Sequence, residues 1–137
     1  MAQASVTRRY RFCAAHRLHT DQLSSAENVA AFGKCNNPNG HGHNYELEVS
    51  VEGEVDANSG YVIDLGQLRA IVERDVIGHL YHRNLNLDVE FLRGINPTSE
   101  NLVVAIWRVL QPVVAPGRLT KLRLWETENN HVEYEGR

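Results

Sequence analysis

The chain has 137 residues, of which 42% are hydrophobic and 23% are charged, enough for one globular domain with a core of its own. Its 14 basic and 17 acidic residues leave a formal net charge of -3, and no basic run or basic stripe interleaved with aromatic residues occurs. Nucleic acid and membrane surfaces are therefore disfavoured as partners, and we expect a single domain over residues 1–137.

The first residues lack the apolar stretch of a signal peptide, and a run of about 18 apolar residues, as a membrane span needs, occurs nowhere. We therefore expect a cytosolic protein. In that reducing compartment the two cysteines, Cys13 and Cys35, are predicted to be free thiols. Cys13 lies in an apolar strand pattern and is interpreted as a packing residue.

Two segments in the first half of the chain alternate apolar and polar residues, as half-buried antiparallel strands do. They cover residues 5–14 and 43–52. The buried face of the second is predicted to consist of Tyr45, Leu47, Val49 and Val51. The connection around residues 19–40 is far longer than a hairpin needs, which suggests a function for it.

Two helices and two further strands are predicted in the second half. Asp64 and Thr98 are candidate N-caps, and each precedes apolar residues that recur at spacings of three and four. The predicted apolar stripes are Leu65, Leu68, Val72 and Val76 in the first helix and Leu102, Val103, Ile106, Trp107 and Leu110 in the second. Closing strands over residues 119–127 and 131–135 surround a turn.

The order β-β-α-α-β-β predicts an α+β protein with a four-stranded antiparallel sheet and two helices on one face. The opposite face and both sheet edges lack partners within such a chain. We therefore expect a homo-oligomer.

Three histidines form a candidate metal site. His41 and His43 flank one residue in a strand, so their imidazoles point to the same side, and antiparallel pairing would bring His16 beside them. Three neutral imidazoles with one open position are typical of catalytic zinc. Cys35 is the alternative fourth ligand, which would close the site and make it structural.

The run from Cys35 to Tyr45, CNNPNGHGHNY, resembles the signature of the 6-pyruvoyl-tetrahydropterin synthase family, and its spacing to His16 fits as well. Three downstream blocks resemble the family in the same order: residues 80–85 around His82, residues 97–101 and residues 126–130. The resemblance covers nearly the whole chain.

The resemblance implies a tunnelling (T-)fold, in which trimers of four-stranded subunits close into a β-barrel and two trimers stack into a homohexamer with active sites at subunit interfaces. It also implies a zinc-dependent lyase. The implied substrate is 7,8-dihydroneopterin triphosphate, which loses triphosphate while an internal redox shift of its side chain yields 6-pyruvoyl-tetrahydropterin. No external redox cofactor is needed.

Roles for individual residues follow from the same resemblance. Zn²⁺ on the three histidines would polarise the side-chain hydroxyls of the substrate, and Cys35 would be the general base, activated by the nearby positive charge. Glu126 would anchor the pterin through a bidentate hydrogen bond, with Thr98 and Ser99 lining the same pocket. Without the resemblance, Glu126 reads as a solvated strand carboxylate and Thr98 as a helix cap.

One position departs from the family pattern. An aspartate usually precedes the catalytic histidine, but Tyr81 precedes His82 here. A phenol with a pKa of about 10 is neutral at pH 7 and cannot stabilise an imidazolium as a carboxylate does. This departure leaves three alternatives. Tyr81 could donate a proton itself, a carboxylate from elsewhere in the fold could reach His82, or the enzyme could be slow or form a different product.

Two alternative functions stay open at this point. The 6-carboxy-tetrahydropterin synthase of the queuosine pathway shares the fold, the histidines and the substrate, although the stretch from Asn36 to Gly40 favours the pyruvoyl enzyme. From a different class comes a non-catalytic, pterin-binding oligomer that keeps zinc for stability after Tyr81 has disabled catalysis.

Overall fold

A computed structural model describes residues 2–137 as an α+β fold built on one five-stranded sheet. Four long strands are antiparallel neighbours, in the order β1, β2, β4, β5, and the short β3 pairs in parallel with the end of β1. The strands are β1 (Gln3–His16), β2 (His41–Glu54), β3 (Arg83–Asn84), β4 (Arg118–Thr127) and β5 (Asn130–Tyr134).

The helices lie in the connections between these strands. α2 continues without a break through a π-helical stretch, Glu73–Ile77, into the single turn α3. None of the helices among residues 2–137 is long and apolar enough to cross a membrane. The helices are α1 (Ser25–Phe32), α2 (Leu65–Val72), α3 (Gly78–Leu80) and α4 (Ser99–Leu110).

The predicted order of four long strands and two main helices is confirmed, but the predicted numbers of strands and helices are too low. The structure adds β3, which holds only two residues, and α1, which lies in the long connection before β2. Ser24 caps α1, and Glu27 completes a capping box by accepting from the backbone N–H of Ser24. The sheet of the single chain is open, so closure into a barrel requires further copies.

The core lies between one face of the sheet and the helices. Both predicted N-caps are confirmed, because Asp64 accepts from the N–H of Gly66 and Thr98 accepts from that of Asn101. Leu65 was wrongly placed in the buried stripe: it is 43% exposed. It is the first residue of α2 and lies at the edge of the stripe formed by Leu68, Val72 and Val76, each of which is fully buried.

The opposite face of the sheet carries charged side chains in rows that follow the strands. β1 and β4 contribute cations, whereas β2 and β5 contribute anions. Typical pairs are Arg9 with Glu48, at 2.7 Å, and Lys121 with Glu135, at 3.6 Å. We call this surface the uncovered face. Its central members are Arg9 and Arg11, Glu46 and Glu48, Lys121 and Arg123, and Glu133 and Glu135.

Candidate metal and pterin site

Three histidines meet at one end of the helix-covered face. His41 and His43 point to the same side of β2 because side chains alternate along a strand, and the register of the ladder places His16 opposite His41. The centroids of the three rings lie between 4.5 and 5.1 Å apart. The structure therefore brings together the three histidines that the sequence predicts as ligands.

Gly40 allows the chain to enter β2 directly beside the end of β1. Its φ of 74° lies in the left-handed region, and a Cβ at this position would come within 3.0 Å of the carbonyl oxygen of His16. A larger residue would push the start of β2 away from β1. The glycine thus sets the distance between His16 and His41.

The ring nitrogens of the three histidines are arranged as a metal needs them. One nitrogen from each ring lies within 4.8 Å of the other two. All three Nε2 atoms are buried, and none has a hydrogen-bond partner among residues 2–137. Buried polar atoms without partners are costly, so this group could hold a metal ion that satisfies them.

The protonation of the rings also suits a metal. Nδ1 of His16 lies 2.9 Å from the carbonyl oxygen of Pro97, which can only accept, so Nδ1 carries a proton and Nε2 is the nitrogen left to face the cluster. Burial lowers the pKa of His43, with Glu126 opposing and the other two histidines adding to the shift. The neutral imidazole, which is the form that binds metals, is therefore favoured.

A carboxylate lies beside this cluster. Oε1 of Glu126 is 2.8 Å from Nε2 of His43 and 3.3 Å from Nε2 of His16, although neither contact has the angle of a hydrogen bond. Ser99 donates to Oε2 at 2.8 Å. Contact with His16, followed by the hydrogen bond from Ser99, lowers the pKa of Glu126 to about 2. Glu126 is therefore an ionised acceptor held beside the histidine cluster.

Thr98 and Ser99, which the family resemblance places in one pocket, have different contacts. Ser99 is buried and binds Glu126, whereas the hydroxyl of Thr98 accepts from the backbone of Asn101 as the cap of α4. The structure thus connects Ser99 to the site directly. It gives Thr98 the role of a helix cap.

Cys35 lies in a 3₁₀ turn, Gly33–Asn36, that follows α1. Its carbonyl oxygen accepts from the N–H of Leu18 at 2.7 Å, which ties the turn to the segment after His16. Burial raises the pKa of the thiol, and the charge of Glu126 raises it further. A cation bound nearby would oppose both effects and favour the thiolate. Both cysteines are free, as predicted.

His82 lies elsewhere in the same chain. It has a left-handed φ of 59°, and its Nδ1 lies 3.3 Å from Sγ of Cys13, whose side chain points to the uncovered face. Among residues 2–137, no hydrogen bond joins His82 to Cys35. The interpretation of Cys13 as a packing residue missed this contact. The alternation of β1 was a signal for it, because Cys13 lies between the buried Phe12 and Ala14 and so points to the other face of the sheet.

Tyr81 is 51% exposed, and its ring meets that of His82 edge-on with the centroids 3.9 Å apart. No carboxylate of the described chain forms an ion pair with His82. Asp88 lines the same cavity, but its Oδ2 accepts from the backbone N–H of Asn84. The family pattern leads one to expect an aspartate before His82. Within one described chain, no other carboxylate takes its place in contact with the imidazole of His82.

A residue that sequence reasoning missed, Tyr45, supports the histidines from below. It is fully buried in β2, its ring stacks on Phe12 at 4.9 Å, and its hydroxyl lies 3.3 Å from Nδ1 of His16. Burial is the main cause that raises its pKa. The alternating pattern of β2 predicted that Tyr45 is a core residue, but it gave no sign of the contact between its hydroxyl and His16.

Comparison with known proteins agrees with the fold. The profile of the family described as 6-pyruvoyl tetrahydropterin synthase matches residues 5–137. The 6-pyruvoyl tetrahydrobiopterin synthase of Homo sapiens is 47% identical over 134 residues, which are 98% of this chain and 92% of that protein. The enzyme of the same name from Drosophila melanogaster is 42% identical and covers 97% of this chain and 80% of its own length.

A solved structure gives the same result. The 6-pyruvoyl tetrahydropterin synthase of Caenorhabditis elegans superposes with a TM-score of 0.94 at 43% identity, covering 100% of this chain and 98% of that one. The agreement extends over all the described elements. The chain therefore belongs to the 6-pyruvoyl tetrahydropterin synthase family.

Proposed function

We propose that this protein is a carbon–oxygen lyase that converts 7,8-dihydroneopterin triphosphate to 6-pyruvoyl-tetrahydropterin with loss of triphosphate, and that residues 1–137 act as one pterin synthase domain. The observation that carries the proposal is the cluster of three unpartnered Nε2 atoms with an ionised carboxylate held beside it. Relatives that bear the name of this enzyme, with 42% and 47% identity over nearly the full chain, support it.

His16, His41 and His43 would hold the metal, which we propose to be Zn²⁺ because three imidazoles with an open position suit that ion. When bound, the metal would supply positive charge that polarises the side-chain hydroxyls of the substrate. Pro97 fixes the ring of His16 for this purpose, since its carbonyl oxygen holds the proton on Nδ1.

Cys35 is the proposed general base, taking a proton from a side-chain carbon of the substrate. The bond between carbon and the triphosphate oxygen breaks, and its electron pair leaves with that oxygen. Two electrons pass from the side chain, where hydroxyls become carbonyls, to the dihydropterin ring. The reaction is therefore balanced without an external oxidant or reductant.

Glu126 is the proposed anchor for the pterin, whose ring edge presents two N–H donors to one carboxylate. Its low pKa keeps it ionised at neutral pH, as such an anchor requires. The hydrogen bond from Ser99 occupies Oε2 and restricts the rotation of the carboxylate. Thr98 is proposed to line the same pocket from the start of α4.

We further propose a T-fold homohexamer of two stacked trimers, with barrels formed by neighbouring sheets. The edge of β1 that carries Arg9 and Arg11 is open before Ala14, and the other edge, β5, carries Glu133 and is followed directly by Glu135. Pairing of β5 with β1 of the next copy would continue the alternation of charged rows and leave no open edge.

His82 supports the same assembly. It is the proposed partner of Cys35 in proton transfer, but in its own chain it lies at the uncovered face beside Cys13. A second copy is needed to bring a His82 side chain to the cysteine. The active sites would therefore lie between subunits.

A product assay separates the three candidate functions. The purified protein is incubated with 7,8-dihydroneopterin triphosphate, and the products are identified by mass. The pyruvoyl compound supports the proposal, and the carboxy compound assigns the chain to the queuosine branch. Unchanged substrate, with zinc retained, indicates the non-catalytic oligomer.

A further inference from the structure

A groove of about 380 Å³ lies beside the proposed active site and has no part in the chemistry described above. It is formed by the segment after β1, by α1 and by the turn that contains Cys35. Its polar side chains come from Arg17, His19, Ser25, Lys34, Asn36 and Asn37. We call it the cationic groove.

The groove differs in charge from four other cavities of the described chain. Arg17 and Lys34 line it together with His19, and no carboxylate does. Four other cavities each have at least one aspartate or glutamate in their walls. A cavity with cations alone attracts anions, and the low-dielectric wall strengthens the attraction.

The two cations of the groove are also free to bind a ligand. Neither Arg17 nor Lys34 forms an ion pair among residues 2–137, in contrast to the paired arginines of the uncovered face. Arg17 donates through Nε to the carbonyl oxygen of Asn36 at 3.1 Å, so its two terminal NH₂ groups remain available. An arginine with that outer edge free binds phosphate oxygens in bidentate fashion.

The backbone that carries Arg17 is held rigidly. The amide side chain of Asn86 binds it in both directions, accepting from the N–H of Arg17 at 2.7 Å and donating to its carbonyl oxygen at 2.8 Å. Asn36, which is buried, donates to the carbonyl oxygen of Leu18 at 2.7 Å. A preformed cationic site loses little entropy when it binds an anion.

The position of His19 adds a third donor. Nδ1 of His19 lies 3.1 Å from the amide nitrogen of Asn36, which donates, so the N–H of the ring is on Nε2. The exposed carboxylate of Asp21 lies 3.4 Å from that Nε2 and competes for it. The contribution of His19 is therefore smaller than those of the two full cations.

Two residues of the groove are direct chain neighbours of residues in the proposed reaction centre. Arg17 directly follows the metal-ligand candidate His16, and Lys34 directly precedes Cys35. The backbone hydrogen bond between Leu18 and Cys35 joins the two segments. These links place the groove on the segments that directly adjoin two of the proposed site residues, His16 and Cys35.

We propose that the cationic groove binds the phosphate chain of the substrate, with Arg17 and Lys34 as its main ligands. The assignment rests on the proposed function for the identity of the substrate. The chemistry of the groove itself selects a polyphosphate, because free guanidinium and ammonium groups face the same cavity without a carboxylate in its wall.

The test uses inorganic tripolyphosphate as the probe and the intact oligomer as the protein. Affinity is measured by calorimetry for the native chain, Arg17→Gln, Lys34→Gln and the double variant. Each single variant is expected to raise the Kd about tenfold, since a hydrogen bond between charged groups has about that effect on binding. Arg108→Gln is the control, because Arg108 is exposed on α4 and forms no ion pair among residues 2–137.

A second measurement separates the groove from the pterin pocket. The variants are expected to bind dihydroneopterin, which has no phosphates, with unchanged affinity, while the KM for its triphosphate rises about tenfold. Arg17→Lys should restore part of the affinity. Lys34 is exposed and makes no side-chain hydrogen bond among residues 2–137, so Lys34→Gln remains informative even if Arg17→Gln does not fold.

The outcomes are distinct. An unchanged Kd for tripolyphosphate in Lys34→Gln and Arg17→Gln overturns the assignment, as does an equal loss in Arg108→Gln. Absence of lyase activity in the native protein would overturn the proposed function instead. In that case a loss of tripolyphosphate affinity confined to the groove variants would still identify the groove as a polyphosphate site.

Discussion

The hydroxyl of Ser99 donates a hydrogen bond of 2.8 Å to Oε2 of Glu126, and this contact joins the first turn of α4 to the end of β4. It fixes one carboxylate oxygen and leaves the other beside the histidine cluster. The orientation of the proposed pterin anchor therefore depends on Ser99, a residue that the family resemblance places in the same pocket as Glu126.

Ser99→Ala and Thr98→Ala form a matched pair at this helix start. Ser99→Ala is expected to raise the KM for the pterin substrate about tenfold, because it frees a carboxylate that a hydrogen bond now orients. Thr98→Ala removes a helix cap and should lower the free energy of unfolding by about 1 kcal/mol with a smaller change in KM. Steady-state kinetics and urea unfolding measure both. The assignment of Ser99 is wrong if the two variants have equal KM values.

Metal removal provides a test of the histidine cluster. Chelation is expected to lower the Tm of the native protein by several degrees, since a ligand at about 1,000 times its Kd adds about 4 kcal/mol to the free energy of unfolding. His41→Ala should contain less metal and show no further shift with chelator. Elemental analysis identifies the ion and its ratio to the chain.

His79→Ala is the control for that experiment, because His79 is exposed and lies outside the cluster. It should retain one metal per chain and the full response to chelator. Metal that survives at native content in His41→Ala would show that the ligands are other residues.

Tyr81 provides a test of the proton relay. Tyr81→Asp restores the carboxylate of the family pattern beside His82 and is expected to raise kcat about tenfold or more if proton transfer limits turnover. Asparagine has about the size of aspartate but no charge, so Tyr81→Asn should not show the increase in kcat. A kcat for Tyr81→Asp at or below that of the native enzyme would mean that this protein moves the proton by another arrangement.

Tyr10 provides a test at alkaline pH, far from the site. Its hydroxyl is buried without a hydrogen-bond partner, and burial raises its pKa to about 12. Because the unfolded side chain ionises first, at a pKa of about 10, the folded state loses stability as the pH rises between these values. Tyr10→Phe should remove that loss and raise the free energy of unfolding at neutral pH by about 1 kcal/mol.

Unfolding curves in urea at pH 7 and between pH 10 and 11 measure the effect. Tyr134→Phe is the control, since the hydroxyl of Tyr134 donates to the carbonyl oxygen of Arg137. A Tyr10→Phe variant with the same alkaline loss as the native chain would indicate that another group is responsible.

The long strands and α4 could be predicted because their apolar periodicity is set by burial on one side. The same alternation placed His41 and His43 together, and antiparallel pairing brought His16 to them. α1 was missed because Asn28 is its only buried residue, so no apolar period marks it. The capping box of Ser24 and Glu27 was a local signal that could have revealed it.

Other features depend on tertiary contacts that leave no pattern in the sequence. β3 contains only Arg83 and Asn84, and its parallel pairing is determined by the position of β1. The π-helical stretch is followed directly by Gly78, where a Cβ would lie 2.8 Å from the carbonyl oxygen of Glu73. Cys13 and His82 are 69 positions apart in the sequence, so their contact could not be inferred from the residues that surround either of them in the sequence.

The pairing of His16 with His41 has a consequence for folding. If β2 slipped by one residue against β1, its two histidines would turn to the uncovered face while His16 stayed on the covered one. After such a one-residue slip, a metal ion can no longer be held by all three histidines. A metal ion that is present while β1 and β2 pair would stabilise the native register over one shifted by a single residue. The ion would then contribute to the correct folding of the sheet before it takes part in any reaction.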